Sequence, residues 1–346
     1  MIRVLVVGYG YWGPNLVRNL VHCPQTQPVA VCDRDAGQLA KLQQIFPFVE
    51  TYTELDAALE RPVDAVIVAT PASSHYPIAL RCLEAGKHLL IEKPLTRTSA
   101  EARDLIDRAE RAGRVLMVDH TFVYSPAVRH IKKLIEASEL GEIYFVDSVR
   151  INLGLVQRDI NVVWDLAPHD LSIIDHVLGQ SPRQVSAVGK AHMNNQEDVA
   201  LVTLDYGERL LASVHLNWLS PVKIRQLVIG GSRKSLVYND LDPSEKVRIY
   251  DRRIERTTDP EDTHRLLFDY RLGDMWSPHV GTDEPLGAVV RHFAECILSG
   301  QTPLTDGRAG LRIVELLEAS DRSLGLGGAP VPLATPGLDR ASRKAA

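Results

Sequence analysis

The run Ile2-Arg3-Val4-Leu5-Val6-Val7 passes directly into Gly8-Tyr9-Gly10-Tyr11-Trp12-Gly13, and a segment of helical period follows. A glycine triad placed between a strand and a helix leaves few folds open. The first glycine permits the tight turn, the second lets backbone approach a pyrophosphate, and the third lets the helix pack on the strand with its free N–H groups facing the anion. Pro14 is tolerated in a first helical turn, where its missing donor is no loss. Asp33 closes the next strand about 20 residues further on, where a carboxylate hydrogen-bonds the adenosine ribose hydroxyls. That pattern favours NAD. Arg34 is next to it and can pair with a 2′-phosphate, which keeps NADP open.

Beyond the loop, short runs of branched apolar residues alternate with longer segments of helical period as far as residue 119. The expected strands are Arg3 to Val7, Val29 to Cys32, Ala65 to Ala69, His88 to Ile91 and Val115 to Val118, with helices at about 14–22, 36–45, 76–85 and 98–112. Val4-Leu5-Val6-Val7 and Val66-Ile67-Val68-Ala69 are apolar without alternation, as strands covered on both faces must be. The fold class expected is α/β: an N-terminal Rossmann doubly wound parallel sheet plus a C-terminal α+β domain. The second part reads as helices near 126–137 and 164–178, a strand ending near Leu153, and a succession of strands from Gln184 to Tyr250, which implies a large, mostly antiparallel open sheet. Two late helices, about 285–298 and 307–322, close it. The expected division is 1–122 for the dinucleotide domain, 123–332 for substrate binding and oligomerisation, and 333–346 for a mobile tail.

Composition narrows the partners. A net charge of −5 with interspersed lysines and arginines offers no basic stripe for nucleic acid, and no apolar run approaches the roughly 20 residues that span a bilayer. Cys23, Cys32, Cys82 and Cys296 are scattered, which suits reduced, buried thiols better than a disulfide scaffold or a zinc site. The histidines and acids show no compact ligand pattern, so no catalytic metal is expected. A cytoplasmic location is expected from the strand pattern that begins at residue 2.

Three further motifs occur in order: Ala69-Thr70-Pro71 with His75 after the fourth expected strand, Glu92-Lys93-Pro94 after the next, and Trp164-Asp165-Leu166-Ala167-Pro168-His169-Asp170 in the second part. Together with the glycine loop, they make nearly the whole chain resemble the Gfo/Idh/MocA family, that of glucose–fructose oxidoreductase and inositol 2-dehydrogenase. The resemblance implies a nicotinamide cofactor and a catalytic set of Lys93, Asp165 and His169. Gly8, Gly10, Tyr11, Trp12, Gly13, Asp33, Arg34, Thr70, Pro71, His75, Glu92 and Lys93 would line the cofactor.

The chemistry of the side chains agrees with that implication. Oxidising an alcohol needs a base for the hydroxyl proton as hydride leaves carbon, and histidine changes protonation near neutrality. Asp165 and His169 are four apart, so on a helix they share a face and the carboxylate can orient or charge the imidazole. Lys93 sits at the carboxyl end of a strand, the edge where open α/β sheets bind ligands, and its ammonium can polarise the same oxygen.

His120-Thr121-Phe122-Val123-Tyr124-Ser125-Pro126 and the Trp164 segment resemble members from nucleotide-sugar and sugar-antibiotic pathways, which often act at carbon 3. The substrate-binding residues expected are therefore Lys93, Tyr124, Arg150, Asn152, Gln157, Asn161, Trp164, Asp165 and His169, with the segment from Gly154 to Val163 as a covering loop. An inositol or free-sugar dehydrogenase is the alternative enzyme. A non-catalytic NAD(P)-binding sensor or scaffold would carry a damaged catalytic set, whereas all three residues are present. The resemblance also implies a homodimer or homotetramer formed through the second domain's sheet.

Overall fold

Branched apolar residues with no polar alternation make β1 (Ile2–Val7) and β4 (Ala65–Val68) strands with two covered faces. In the computed structural model, which describes residues 1–154, 160–256 and 268–333, they lie side by side at the centre of a six-stranded parallel sheet. Helices α1 (Gly13–His22), α2 (Ala36–Ile45), α3 (Leu55–Leu59), α4 (His75–Glu84) and α5 (Ser99–Ala112) connect the strands. The remaining strands are β2 (Thr26–Cys32), β3 (Glu50–Tyr52), β5 (His88–Glu92) and β6 (Leu116–Asp119), in the order β3-β2-β1-β4-β5-β6. The order reverses between β1 and β4. A crevice opens beyond the carboxyl ends of the strands at such a reversal, and that is where ligands bind in sheets of this kind. Local signals fix the helix ends: Thr98 and Glu101 form a reciprocal capping box at the start of α5, and Gly113 ends it in the left-handed conformation.

The chain then builds a second unit. Helices α6 (Pro126–Glu136) and α7 (Val162–Leu178) accompany β7 (Ile143–Leu153), β8 (Gln184–Lys190), β9 (Val199–Asp205), β10 (Leu211–Asn217), β11 (Leu219–Gly231), β12 (Ser235–Asn239), β13 (Val247–Arg256) and β14 (Phe268–Trp276). With the short β15 (Val331–Pro332) they form a nine-stranded sheet, ordered β14-β13-β12-β11-β7-β10-β9-β8-β15. Its pairings are antiparallel except between β7 and β10. Alternate residues of β9 and β10 point inward, with Ala200, Val202, Leu204, Ala212, Val214 and Leu216 buried against α7.

The division of the chain differs from the sequence expectation. One unit comprises Met1–Ser125 together with Asp283–Glu318, and the other Pro126–Thr282 with Ala319 onward. The late helices α8 (Pro285–Ser299) and most of α9 (Gly307–Gly325) therefore complete the first unit. The reason is packing: Leu286, Val289, Val290 and Phe293 of α8 share one buried cluster with Leu16, Val17 and Leu20 of α1. Arg18 grips Glu284 with two hydrogen bonds, 2.9 and 2.6 Å, just ahead of α8. The expected tail lies outside the described residues, apart from Leu333, whose N–H donates to the Arg183 carbonyl. Among the described residues no helix is long and apolar enough to cross a membrane.

Candidate functional site

The glycine loop lies against the loop that follows β4. Gly8 has φ +99°, and a Cβ there would stand 2.5 Å from the Ala69 carbonyl oxygen. A Cβ at Gly13 would stand 2.7 Å from the Gly8 oxygen. Both positions are glycine for reasons internal to the protein. Gly10 is different: a Cβ there would meet nothing within 4 Å. The open space beside it fits the close approach of a pyrophosphate, and α1 begins with no side-chain cap on its free N–H groups. Tyr11 and Trp12 stand exposed at the loop's tip, their rings edge to face at 5.6 Å.

Asp33 holds this loop to the end of β2. Its carboxylate accepts from the Tyr9 N–H at 2.6 Å and from the Asp35 N–H at 2.8 Å. Each oxygen keeps a second lone pair for the hydroxyls of a ribose. The Arg34 side chain is exposed beside it.

His75 joins the two other loops at this edge. Buried at the start of α4, it sets one ring nitrogen 2.8 Å from the Thr70 carbonyl oxygen and the other 2.8 Å from that of Pro94. Burial pushes its pKa down, while the carbonyls of Pro94 and Thr70 that accept from the ring push it up. Thr70 is half-buried and accepts from the Ser74 hydroxyl at 2.8 Å, and Pro71 is exposed.

Lys93 is half-exposed between the buried Glu92 and Pro94, and the Lys93–Pro94 bond is cis. Behind it is a feature that the sequence reading missed. The parallel register of β5 and β6 sets Glu92 beside Asp119, and both carboxyls are buried. The Glu92 carboxyl is pushed well above its ordinary range, first by burial and then by the charge of Asp119. Thr121 donates to Asp119 Oδ1 at 2.7 Å, but Oδ2 has no fixed donor. Burial raises the Asp119 carboxyl as well, and a hydrogen bond between the two acids needs a proton that one of them retains. His120 follows, buried with neither ring nitrogen partnered, and burial pushes its pKa down to about 3.

In the second unit, Asp165 and His169 are both half-buried on one side of α7, amid the buried Trp164, Ala167, Pro168 and Asp170. Asn161 caps the helix, its Oδ1 accepting from the Val163 and Trp164 N–H groups at 3.1 Å each. Its amide donates to Asp321 at 2.9 Å and to Glu197 at 3.3 Å, and the Trp164 indole donates to Asp321 at 2.6 Å.

Four residues expected to bind substrate are tied into the scaffold. Asn161 and Trp164 anchor α7, as described. Arg150 is buried under the helix, its guanidinium bonded to Asp170 at 2.5 and 3.2 Å, because a charge in that position needs a partner. Tyr124 is 1% exposed in the first unit, its hydroxyl 3.1 Å from the Thr305 hydroxyl and its ring against His292. Asn152 is half-buried on β7, whereas Gln157 and much of the expected covering loop lie outside the described residues.

A sequence model described as an oxidoreductase family with an NAD-binding Rossmann fold matches residues 2–120, and one for the GFO/IDH/MocA C-terminal domain matches residues 128–237. The chain belongs to the GFO/IDH/MocA family. It is an NAD(P)-dependent dehydrogenase by that membership, and its glycine loop and Asp33 fit the cofactor. Among its relatives is the NADP-dependent scyllo-inositol 2-dehydrogenase IolW of Bacillus subtilis, 26% identical over 93% of each chain. UDP-N-acetylglucosamine 3-dehydrogenase of Acidithiobacillus ferrooxidans is 30% identical over 60% of this chain and 64% of that one. Its solved structure superposes with a TM-score of 0.79 over 94% of this chain and 98% of the other, at 24% identity. The dTDP-3,4-didehydro-2,6-dideoxy-α-D-glucose 3-reductase of Streptomyces violaceoruber is 32% identical over 48% of this chain and 51% of that one.

Two outcomes test this edge of the sheet. Replacing Asp33 by Ala removes a charged acceptor, so calorimetry should show NAD binding weakened by about ten- to a hundredfold; unchanged affinity refutes the ribose role. A buried acid with a raised pKa destabilises the fold as pH rises from its unfolded pKa through its folded one. Glu92→Gln keeps a donor toward Asp119 without that titration, so the fall in melting temperature between pH 5 and pH 9 should be smaller than in the wild type.

Proposed function

We propose that this dehydrogenase moves a hydride between nicotinamide and a hydroxyl or keto carbon, carbon 3 in the leading reading, of a nucleotide-linked or otherwise modified sugar. The observation that carries the chemistry is the side of α7 on which Asp165 and His169 stand half-buried, four residues apart, while their neighbours serve the scaffold. Support for the sugar class comes from the two relatives that act at carbon 3 of a nucleotide-linked sugar.

The nicotinamide, when bound, supplies or accepts the hydride. His169 takes the hydroxyl proton in oxidation and returns it in reduction. Asp165 orients the imidazole and stabilises its charged form. Lys93 is the third residue of the implied catalytic set, its ammonium suited to stabilise negative charge that develops on a reacting oxygen. NAD is the preferred dinucleotide, because the Asp33 carboxylate suits ribose hydroxyls and repels a 2′-phosphate. Asn152 is retained as a polar contact to substrate.

A free-polyol reading rests on the full-length match to scyllo-inositol 2-dehydrogenase. A panel of nucleotide sugars, inositols and free sugars, followed at the absorbance of reduced nicotinamide with NAD and with NADP, separates the two. Fast turnover confined to unmodified polyols would replace the leading reading, and absence of turnover throughout would favour a sensor.

The same proposal includes self-association. The face of the large sheet opposite α7 exposes Phe145, Val188, Leu201 and Leu211, and the strand register sets them in two pairs, Leu211 opposite Phe145 and Leu201 opposite Val188, four residues apart along the strands. Neighbouring apolar side chains on an open sheet face suit a second copy of the chain.

Lys93→Met and His169→Ala should each lower kcat by about a hundred- to ten-thousandfold with NAD affinity retained; wild-type turnover in either variant removes that residue from the mechanism. Sedimentation should find a dimer or tetramer, and Leu201→Glu with Leu211→Glu should shift it toward monomer; a wild-type monomer rejects the interface.

A further inference from the structure

No motif singles out Trp218, yet its indole Nε1–H donates to Asp165 Oδ2 at 3.0 Å. Trp218 lies between β10 and β11 and is only 1% exposed. Three contacts fix its position. Its backbone N–H donates to the Asp198 carbonyl at 2.9 Å, and its carbonyl accepts from the Gly154 N–H at 2.8 Å. The ring presses on Gly154 so closely that a Cβ there would be 2.8 Å from Trp218 Cδ1. Asp198 is rigid in turn, since its carboxylate accepts from the His192 and Met193 N–H groups at 2.8 and 2.9 Å.

An indole N–H donates only and does not titrate, so this donor acts at every working pH. A carboxylate without such a bond turns freely about Cβ–Cγ. The bond at Oδ2 restricts that rotation, beside the other interactions of the carboxylate, and biases where its remaining lone pairs point. The other indole near the helix, that of Trp164, ends on Asp321 and so anchors the scaffold. Only the Trp218 indole ends on the acid that shares a side of α7 with His169.

We propose that Trp218 is a positioning residue for the redox reaction, holding the Asp165 carboxylate in the orientation that serves His169. This rests on the reading of Asp165 and His169 as the proton-handling pair. It concerns how the pair is held, and gives a buried tryptophan far along the sequence an effect on turnover.

The test uses the full-length protein with NAD and whichever sugar turns over fastest in the panel described above. Trp218→Phe should lower kcat by about ten- to a hundredfold, the worth of one hydrogen bond to a charged group, with KM and NAD affinity changed much less. Adding Trp218→Phe to Asp165→Asn should then cause little further loss, because the bond's acceptor has already been altered. If Phe does not fold, benzothienylalanine at position 218 keeps the bicyclic shape with sulfur in place of the N–H, and should give the same kcat loss at the wild-type melting temperature. A measurement independent of any sugar is the Trp218 indole 15N–1H signal, which should shift in Asp165→Asn; an unmoved signal refutes the bond.

Wild-type kcat in the Trp218 variants alongside a damaged Asp165→Asn overturns the positioning role alone, as do losses that multiply in the double variant. Wild-type turnover in Asp165→Asn overturns the underlying reading of the pair, and the Trp218 proposal with it.

Discussion

The backbone of Gly8 runs so close to the Ala69 carbonyl that no side chain fits between them. That contact fixes the distance between the loops after β1 and β4, the two strands at which the strand order reverses. Asp33 ties the first loop to β2 through the Tyr9 N–H, and His75 ties the second to the loop after β5 through backbone carbonyls. The carboxyl edge of the sheet is thus one hydrogen-bonded assembly in which Gly10, unlike Gly8 and Gly13, has space beside it. A dinucleotide enters a cradle that is already formed, and the ordering cost is met on folding rather than on binding.

Much of this architecture is written in local sequence. The glycine loop, Asp33 and the unalternated apolar runs each act over a few residues, so the parallel sheet and its cofactor edge were legible. β3 and α3 were not, because three residues of edge strand and five of helix are too short to set up a period. The single parallel pairing inside the second sheet, β7 with β10, was equally hidden, since α7, β8 and β9 intervene in the chain between the two strands.

Side-chain roles were legible only where a motif fixed them. Arg150 looks the same in sequence whether it faces a sugar or a buried aspartate, and what decides it is Asp170, 20 residues away. Asn161 and Trp164 find their acceptor in Asp321, at the far end of the chain. The Glu92–Asp119 pair follows from strand register, which composition and spacing do not carry. Trp218 lacked any signal at all, since a tryptophan at the end of a strand reads as core.

The chain crosses between its two units more than once. The cluster on α1 is closed by Leu286, Val289, Val290 and Phe293, residues that leave the ribosome after nearly the whole second unit. During synthesis the dinucleotide half therefore carries an uncovered apolar stripe along α1 while the large sheet is assembled. Its completion is a late event despite its position at the amino terminus, and in that interval the stripe is open to the wrong partner.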